Sequence, residues 1–218
     1  HAGDAPQAYL AGFAGAVVNL PAIEAAASGN GHFNMLADRD GLIRRIPLVL
    51  RKGAAMYPSL AAESLRVAQG ASTYLIKASG GSGEMSFGAH TGITHVKIGA
   101  LIVPTDAQGR IWLYDTGFVA ERFIPAWRLF ENDADPAAVE GKIVFIGTSA
   151  AGLKDLRATP LNPVAAGVEV HAQLAEQILL QEFLTRPDWA SGAEVVYLLL
   201  LGAGLILLLP RVGPAWCA

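Results

Sequence analysis

The segment GKIVFIGTSAAGLKDLRATPLNPVAAGVEVHA, residues Gly141 to Ala172, decides how the rest of the chain is read. Ile143 to Ile146 is an unbroken apolar run rich in β-branched residues, which predicts a strand covered on both faces and ended by Gly147. From Val168 the apolar residues Val168, Ala172, Ala175, Leu179 and Phe183 recur at helical spacing. They predict a helix from Val168 to Leu184 with Glu169, Gln173, Glu176 and Gln177 on its wet side. Between strand and helix lie roughly twenty residues, more than the roughly 2–6 usual for such a connection, and loops of that length tend to be functional or mobile.

That loop and the helix start supply the candidate site: Thr148, Ser149, Asp155, Thr159, Glu169 and His171. The crevice beyond the carboxyl end of a strand collects loops, and the amino end of the next helix offers unpaired N–H groups to an anion or carboxylate. Plainer roles stand beside ligand contact. Asp155 and Thr159 are also suited to capping and stapling the loop, and His171 to being a structural histidine or a proton switch.

Upstream, His32 to Ala37 and Leu42 to Arg51 read as the two strands of a hairpin, with Asp38-Arg39-Asp40-Gly41 as its turn. A calcium loop is excluded because it needs an oxygen ligand at position 36 and a Glu at 47, where Leu36 and Pro47 stand. Arg44 is a candidate anion contact; Arg44 and Arg45 alternate faces in a strand, so one of them at most is expected to face any pocket. Tyr57-Pro58-Ser59 opens a helix that runs to Gln69, stops at Gly70 and points Leu60, Ala61, Leu65 and Ala68 inward.

Three separated motifs now carry a resemblance. Gly147-Thr148, Asp155, Thr159-Pro160 and Gly167-Val168-Glu169-Val170-His171-Ala172 resemble the C-terminal signature of the CHASE family, type 2, the cyclase/histidine-kinase-associated sensory extracellular domain. Gly31-His32-Phe33-Asn34 with Asp38, Asp40-Gly41 and Arg44 resembles that family's central hairpin, and Tyr57-Pro58-Ser59-Leu60-Ala61 the helix start after it. Together they cover most of Gly31 to Pro187 in the expected order. The resemblance implies a sensor that feeds a cytoplasmic nucleotide cyclase, histidine kinase or serine/threonine kinase, with dimers among its members. It also implies that an N-terminal anchor and the first part of the sensor precede His1.

The remaining chain fits an α/β domain. Pro21 to Ser28 predicts a short helix, and Tyr9 to Leu20 a buried strand with a flanking loop. Ser72 to Lys77, Thr94 to Ile98, Leu101 to Pro104 and Gly109 to Tyr114 read as strands, Ser79 to Gly83 as a flexible loop, and Pro125 to Phe130 and Pro136 to Val139 as helical turns. The expected fold is a mixed β-sheet with packed helices, a three-layer-like sensor domain over residues 1–190, followed by one transmembrane helix over 193–210 and a connection over 211–218.

With 52% hydrophobic residues and 24 Gly, the chain is rich for a purely soluble protein, and the excess lies in Ala193 to Leu209, AEVVYLLLLGAGLILLL. That run is close to the roughly 17–25 residues that span a bilayer. Arg211 marks the inner flank, and Asp188, Trp189 and Glu194 the outer one, so the folded part is expected on the extracytoplasmic side, periplasmic or extracellular.

Several chemistries are excluded. Gly147 to Lys154 has the glycine spacing of a phosphate loop, but Leu153 separates Gly152 from Lys154 and Asp155 follows. Ser149 lacks the second glycine of a nucleophile elbow. The histidines at 1, 32, 90, 95 and 171 show no metal-ligand spacing, and a net charge of −3 without a basic aromatic stripe argues against nucleic acid. Single Cys217 leaves the outer domain without a disulfide. The expectation is a sensor with no cofactor, metal or catalytic residue, whose partners are a small-molecule or environmental signal, the membrane and a second copy. The alternative is a membrane-anchored binding or enzyme domain, for which a buried Asp155–His171 pair would be the sign.

Overall fold

A computed structural model describes residues 1–79, 91–131, 135–153, 155–187 and 189–208. Gly80 to Gly83 of the predicted loop, His90, Lys154, Asp188, Leu209, Arg211 and Cys217 lie outside the described residues. The chain forms two units, one reaching Leu184 and one beginning at Thr185.

The first unit is α/β, as expected, with several short ladders in place of one continuous sheet. β1 (Gly12–Phe13) pairs parallel with β3 (Val49–Lys52), which pairs antiparallel with β4 (Ala55–Pro58). β2 (Arg45–Pro47) pairs with β8 (Arg110–Trp112). β5 (Tyr74–Ala78), β6 (Ile93–Ile98) and β7 (Leu101–Pro104) form an antiparallel sheet, and β9 (Leu156–Arg157) pairs with β10 (Ala165–Ala166). The helices are α1 (Pro21–Ala26), α2 (Leu60–Ala68), α3 (Ala126–Phe130) and α4 (Gly167–Leu180).

α2 starts where Ser59 Oγ accepts the Ala62 amide, a side-chain N-cap, so Tyr57 and Pro58 belong to β4 and not to the helix. α2 and α4 pack on each other, α2 also on β6 and α4 on β7. Their shared core contains Ile46, Leu48, Leu65, Val96, Ile98, Val103, Leu174 and Ile178. The buried face of α2 is Ala61, Ala62, Glu63 and Leu65; Leu60 and Ala68, predicted inward, are exposed.

Three strand expectations fail, each because a strand exists only where a neighbour takes its hydrogen bonds. Residues 143–146 have no ladder partner among the described residues. Ile143 and Phe145 lean on the core while Val144 and Ile146 face outward, Ile146 at 91% exposure. Of Tyr9 to Leu20 only Gly12 and Phe13 pair. The predicted hairpin keeps its turn, with Gly41 at φ +84° and its N–H bonded to the Asp38 carbonyl, but not its arms. Residues 42–51 break at Leu48 into β2 and β3, which take β8 and β4 as partners, and residues 33–37 join no ladder.

The second unit, as described, is α5 (Ala190–Leu208) with its lead-in, where Arg186 pairs with Glu194 at 2.6 Å. Nineteen residues rising 1.5 Å each span about 28 Å, close to a hydrocarbon core. None of its residues is buried, and by length and composition it can cross a membrane.

Candidate functional site

α4 gathers more polar groups than an apolar stripe predicts. Glu169, His171, Gln173 and Gln177 are all buried, while Leu179 is exposed. The expectation of a wet face at Glu169, Gln173 and Gln177 is therefore wrong, because those side chains are consumed by neighbouring backbone. Gln177 Nε2 donates to the Trp112 carbonyl at 2.8 Å, and its Oε1 accepts the Tyr114 N–H at 3.0 Å, so one side chain continues the β8 edge as a neighbouring strand would. Gln173 Nε2 donates to the Gly117 carbonyl at 3.3 Å.

His171 lies on the other side of the helix, where its Nε2 donates to the Phe33 carbonyl at 3.2 Å. A carbonyl only accepts, so the proton sits on Nε2 and Nδ1 is a bare acceptor without a protein partner. The segment carrying Phe33 is clamped to the start of α2: His32 N–H donates to the Pro58 carbonyl at 2.8 Å, and Leu60 N–H to the His32 carbonyl at 2.7 Å. Gly31 permits this approach, since a Cβ there would lie 2.7 Å from Leu60 Cα. Both ring nitrogens of His32 are buried without a protein partner among the described residues. Burial, then the nearby His171, holds the His32 ring down at about 4 from its usual 6.5. Burial also lowers His171, opposed by the Phe33 carbonyl and Asp155.

The six residues predicted to converge do so only in part. Asp155 reaches the His171 side electrostatically, but its carboxylate is one-third exposed and pairs with Arg157 at 3.3 Å, so no hydrogen-bonded Asp155–His171 couple forms. Its carbonyl accepts the Gly167 N–H at 2.8 Å, fixing the entry to α4. Thr159 staples its turn: its Oγ donates to the Asn162 carbonyl and accepts the Asn162 N–H, both at 3.1 Å. Thr148 and Ser149 are exposed on the unpaired segment. Glu169 is two residues from His171 and points elsewhere, toward Gln173 Nε2 at 3.4 Å; burial and then Asp115 raise its pKa.

Arg44 is occupied by two aspartates, Asp38 at 3.2 Å and Asp40 at 2.7 Å. Arg45 bonds the same Asp38 and lies 5.1 Å over the Trp112 ring, so the expected alternation of the two arginines fails. Their side chains bend round the turn to a common carboxylate. Asp40 is held down at about 2, chiefly by Arg44. Ala37 to Asp40, Arg44, Arg45 and Arg110 line an open groove there. His32 and the two glutamines escaped sequence reasoning; the signal was available for His32, which sits in the quoted Gly31–Asn34 motif.

A family model described as the CHASE2 domain matches residues 5–209. The chain belongs to the CHASE2 family. CHASE2 is a family of sensory extracellular domains of signalling receptors, a sensor family and not a catalytic one. The match runs through α4 and α5, extending the resemblance seen over Gly31 to Pro187 in both directions. No curated protein and no solved structure matches the chain.

Proposed function

We propose that this chain is the extracytoplasmic sensory part of a transmembrane receptor that relays an external stimulus to a cytoplasmic cyclase or kinase module. The observation that carries the reading is the CHASE2 match continuing into a 19-residue apolar helix without a buried residue. Only residues 181–189 separate the end of α4 from α5 in the chain. A stimulus or a subunit contact that favours one packing of α4 is therefore positioned to bias the membrane helix by population shift. The receptor acts as a dimer in this reading, with the signal itself a small molecule or an environmental condition.

Membrane sidedness tests it. Ala54 lies exposed in the β3–β4 turn, and Cys217, the sole cysteine, follows the apolar helix. In cells expressing the Ala54→Cys protein, a membrane-impermeant maleimide is expected to label the introduced thiol at once and Cys217 only after permeabilisation. Labelling in the opposite order would reverse the orientation, and equal labelling of both thiols in intact cells would remove the span.

A further inference from the structure

Two imidazoles meet at one backbone position. His171, only 2% exposed, is tied through Nε2 to the carbonyl of Phe33, the residue next to His32. His32 is in turn held by both of its backbone polar groups to the start of α2. Three buried ring nitrogens, His32 Nδ1, His32 Nε2 and His171 Nδ1, have no protein partner among the described residues. A neutral imidazole always carries one N–H, so His32 keeps a buried donor without a protein partner among the described residues, an arrangement that natural interiors rarely retain without a use.

We propose that His32 and His171 form an acid-responsive latch, which holds residues 31–34 against α4 while both rings are neutral and releases them when His32 takes up a proton. The groups around the pair favour this sense. On α2, Glu63 is committed to Arg66 at 2.7 Å and to the Tyr74 hydroxyl. On α4, Glu169 accepts from Gln173 and is repelled by Asp115. From β9, Arg157 opposes a charge on His171, and Asp155 beside it supports one. Among the described residues no carboxylate acts on His32, so a proton there meets burial and a second imidazole.

The sign follows from linkage. The closed latch binds its proton at about 4 and the opened one near 6.5, so closure is full above pH 6.5 and weakens as pH falls toward 4. The opening equilibrium gains about 30-fold at pH 5 and saturates near about 300-fold. The latch stands on the contact alone, and only its use as a signal rests on the sensory reading.

Hydrogen exchange on the full chain in detergent micelles tests it. Protection of peptides covering 30–34 and 167–175, corrected for intrinsic exchange, is expected to fall about 30-fold between pH 7.5 and 5.0, and less than twofold in His32→Gln. Unchanged wild-type protection, or an equal loss in His32→Gln, would overturn the latch. Should that variant fail to fold, the wild type labelled at histidine decides by NMR: one ring must titrate near pH 4, and five rings all titrating above pH 6 would refute it. Failure here leaves the thiol-labelling result untouched, and the reverse also holds.

Discussion

Removing the amide of Gln177 while keeping the volume of its side chain isolates what a buried glutamine contributes to this fold. Gln177 is 3% exposed and serves two backbone groups, the Trp112 carbonyl and the Tyr114 amide. Gln177→Leu preserves the packing and leaves both groups without that partner. Each hydrogen bond contributes about 1 kcal/mol net, and a group left dry and unpaired costs about 1–3 kcal/mol, so the expected loss is about 2–4 kcal/mol. For a unit of this size that lowers Tm by about 5–15 °C. The assay is thermal unfolding in detergent micelles followed by circular dichroism, with Gln108→Ala in an exposed turn as the control, expected within about 0.5 kcal/mol of wild type. A Gln177→Leu protein as stable as the control would refute the assignment of Gln177 as a surrogate strand partner for β8.

Three further outcomes are expected. Leu174→Ala, at a fully buried contact on α4, should cost about 2–5 kcal/mol in the same unfolding assay, against about 0.5 kcal/mol or less for exposed Leu180→Ala. Gly31→Ala should destabilise by about 1–3 kcal/mol, because its Cβ meets the Leu60 backbone, which cannot give way without moving α2; exchange protection at residues 31–34 should fall first. Glu169→Gln should raise stability at pH 7 and not at pH 4. The raised pKa of Glu169, from burial and then Asp115, means that the folded state holds its proton longer and loses stability as pH rises through that range, and an amide escapes this loss. A Tm difference that is the same at both pH values would contradict it.

Local patterns that complete themselves were legible. Ser59 caps α2, Asp38 to Gly41 make a turn, and β6 and β7 appear close to where the pattern places them, because each is completed by residues near it in sequence. The run Ile143 to Ile146 was not legible in the same way. Its composition states strand preference, but pairing is a property of what lies beside it, and among the described residues no strand does. The polar face of α4 misled for a related reason. Periodicity counts a glutamine as wet, whereas Gln173 and Gln177 meet backbone groups 56 and 63 residues distant in sequence, and no local signal announces that. At the candidate site, His171 was found by motif and helix position. Its partner, a main-chain carbonyl at Phe33, has no side-chain signature at all.

The same buried polar groups bear on how α4 can move. His171, Gln173 and Gln177 bind backbone at Phe33, Gly117, Trp112 and Tyr114, so a slide or turn of the helix breaks four hydrogen bonds together. At about 1 kcal/mol each, the displaced packing is populated about once in 1,000 molecules, and intermediate positions offer these donors and acceptors nothing. α4 is thus suited to switching between discrete packings and poorly suited to gradual drift. A stimulus must supply nearly the whole difference to matter. A bias of about 300-fold at His32 approaches it, so a fully protonated latch would supply most of the difference and leave about threefold to other contacts.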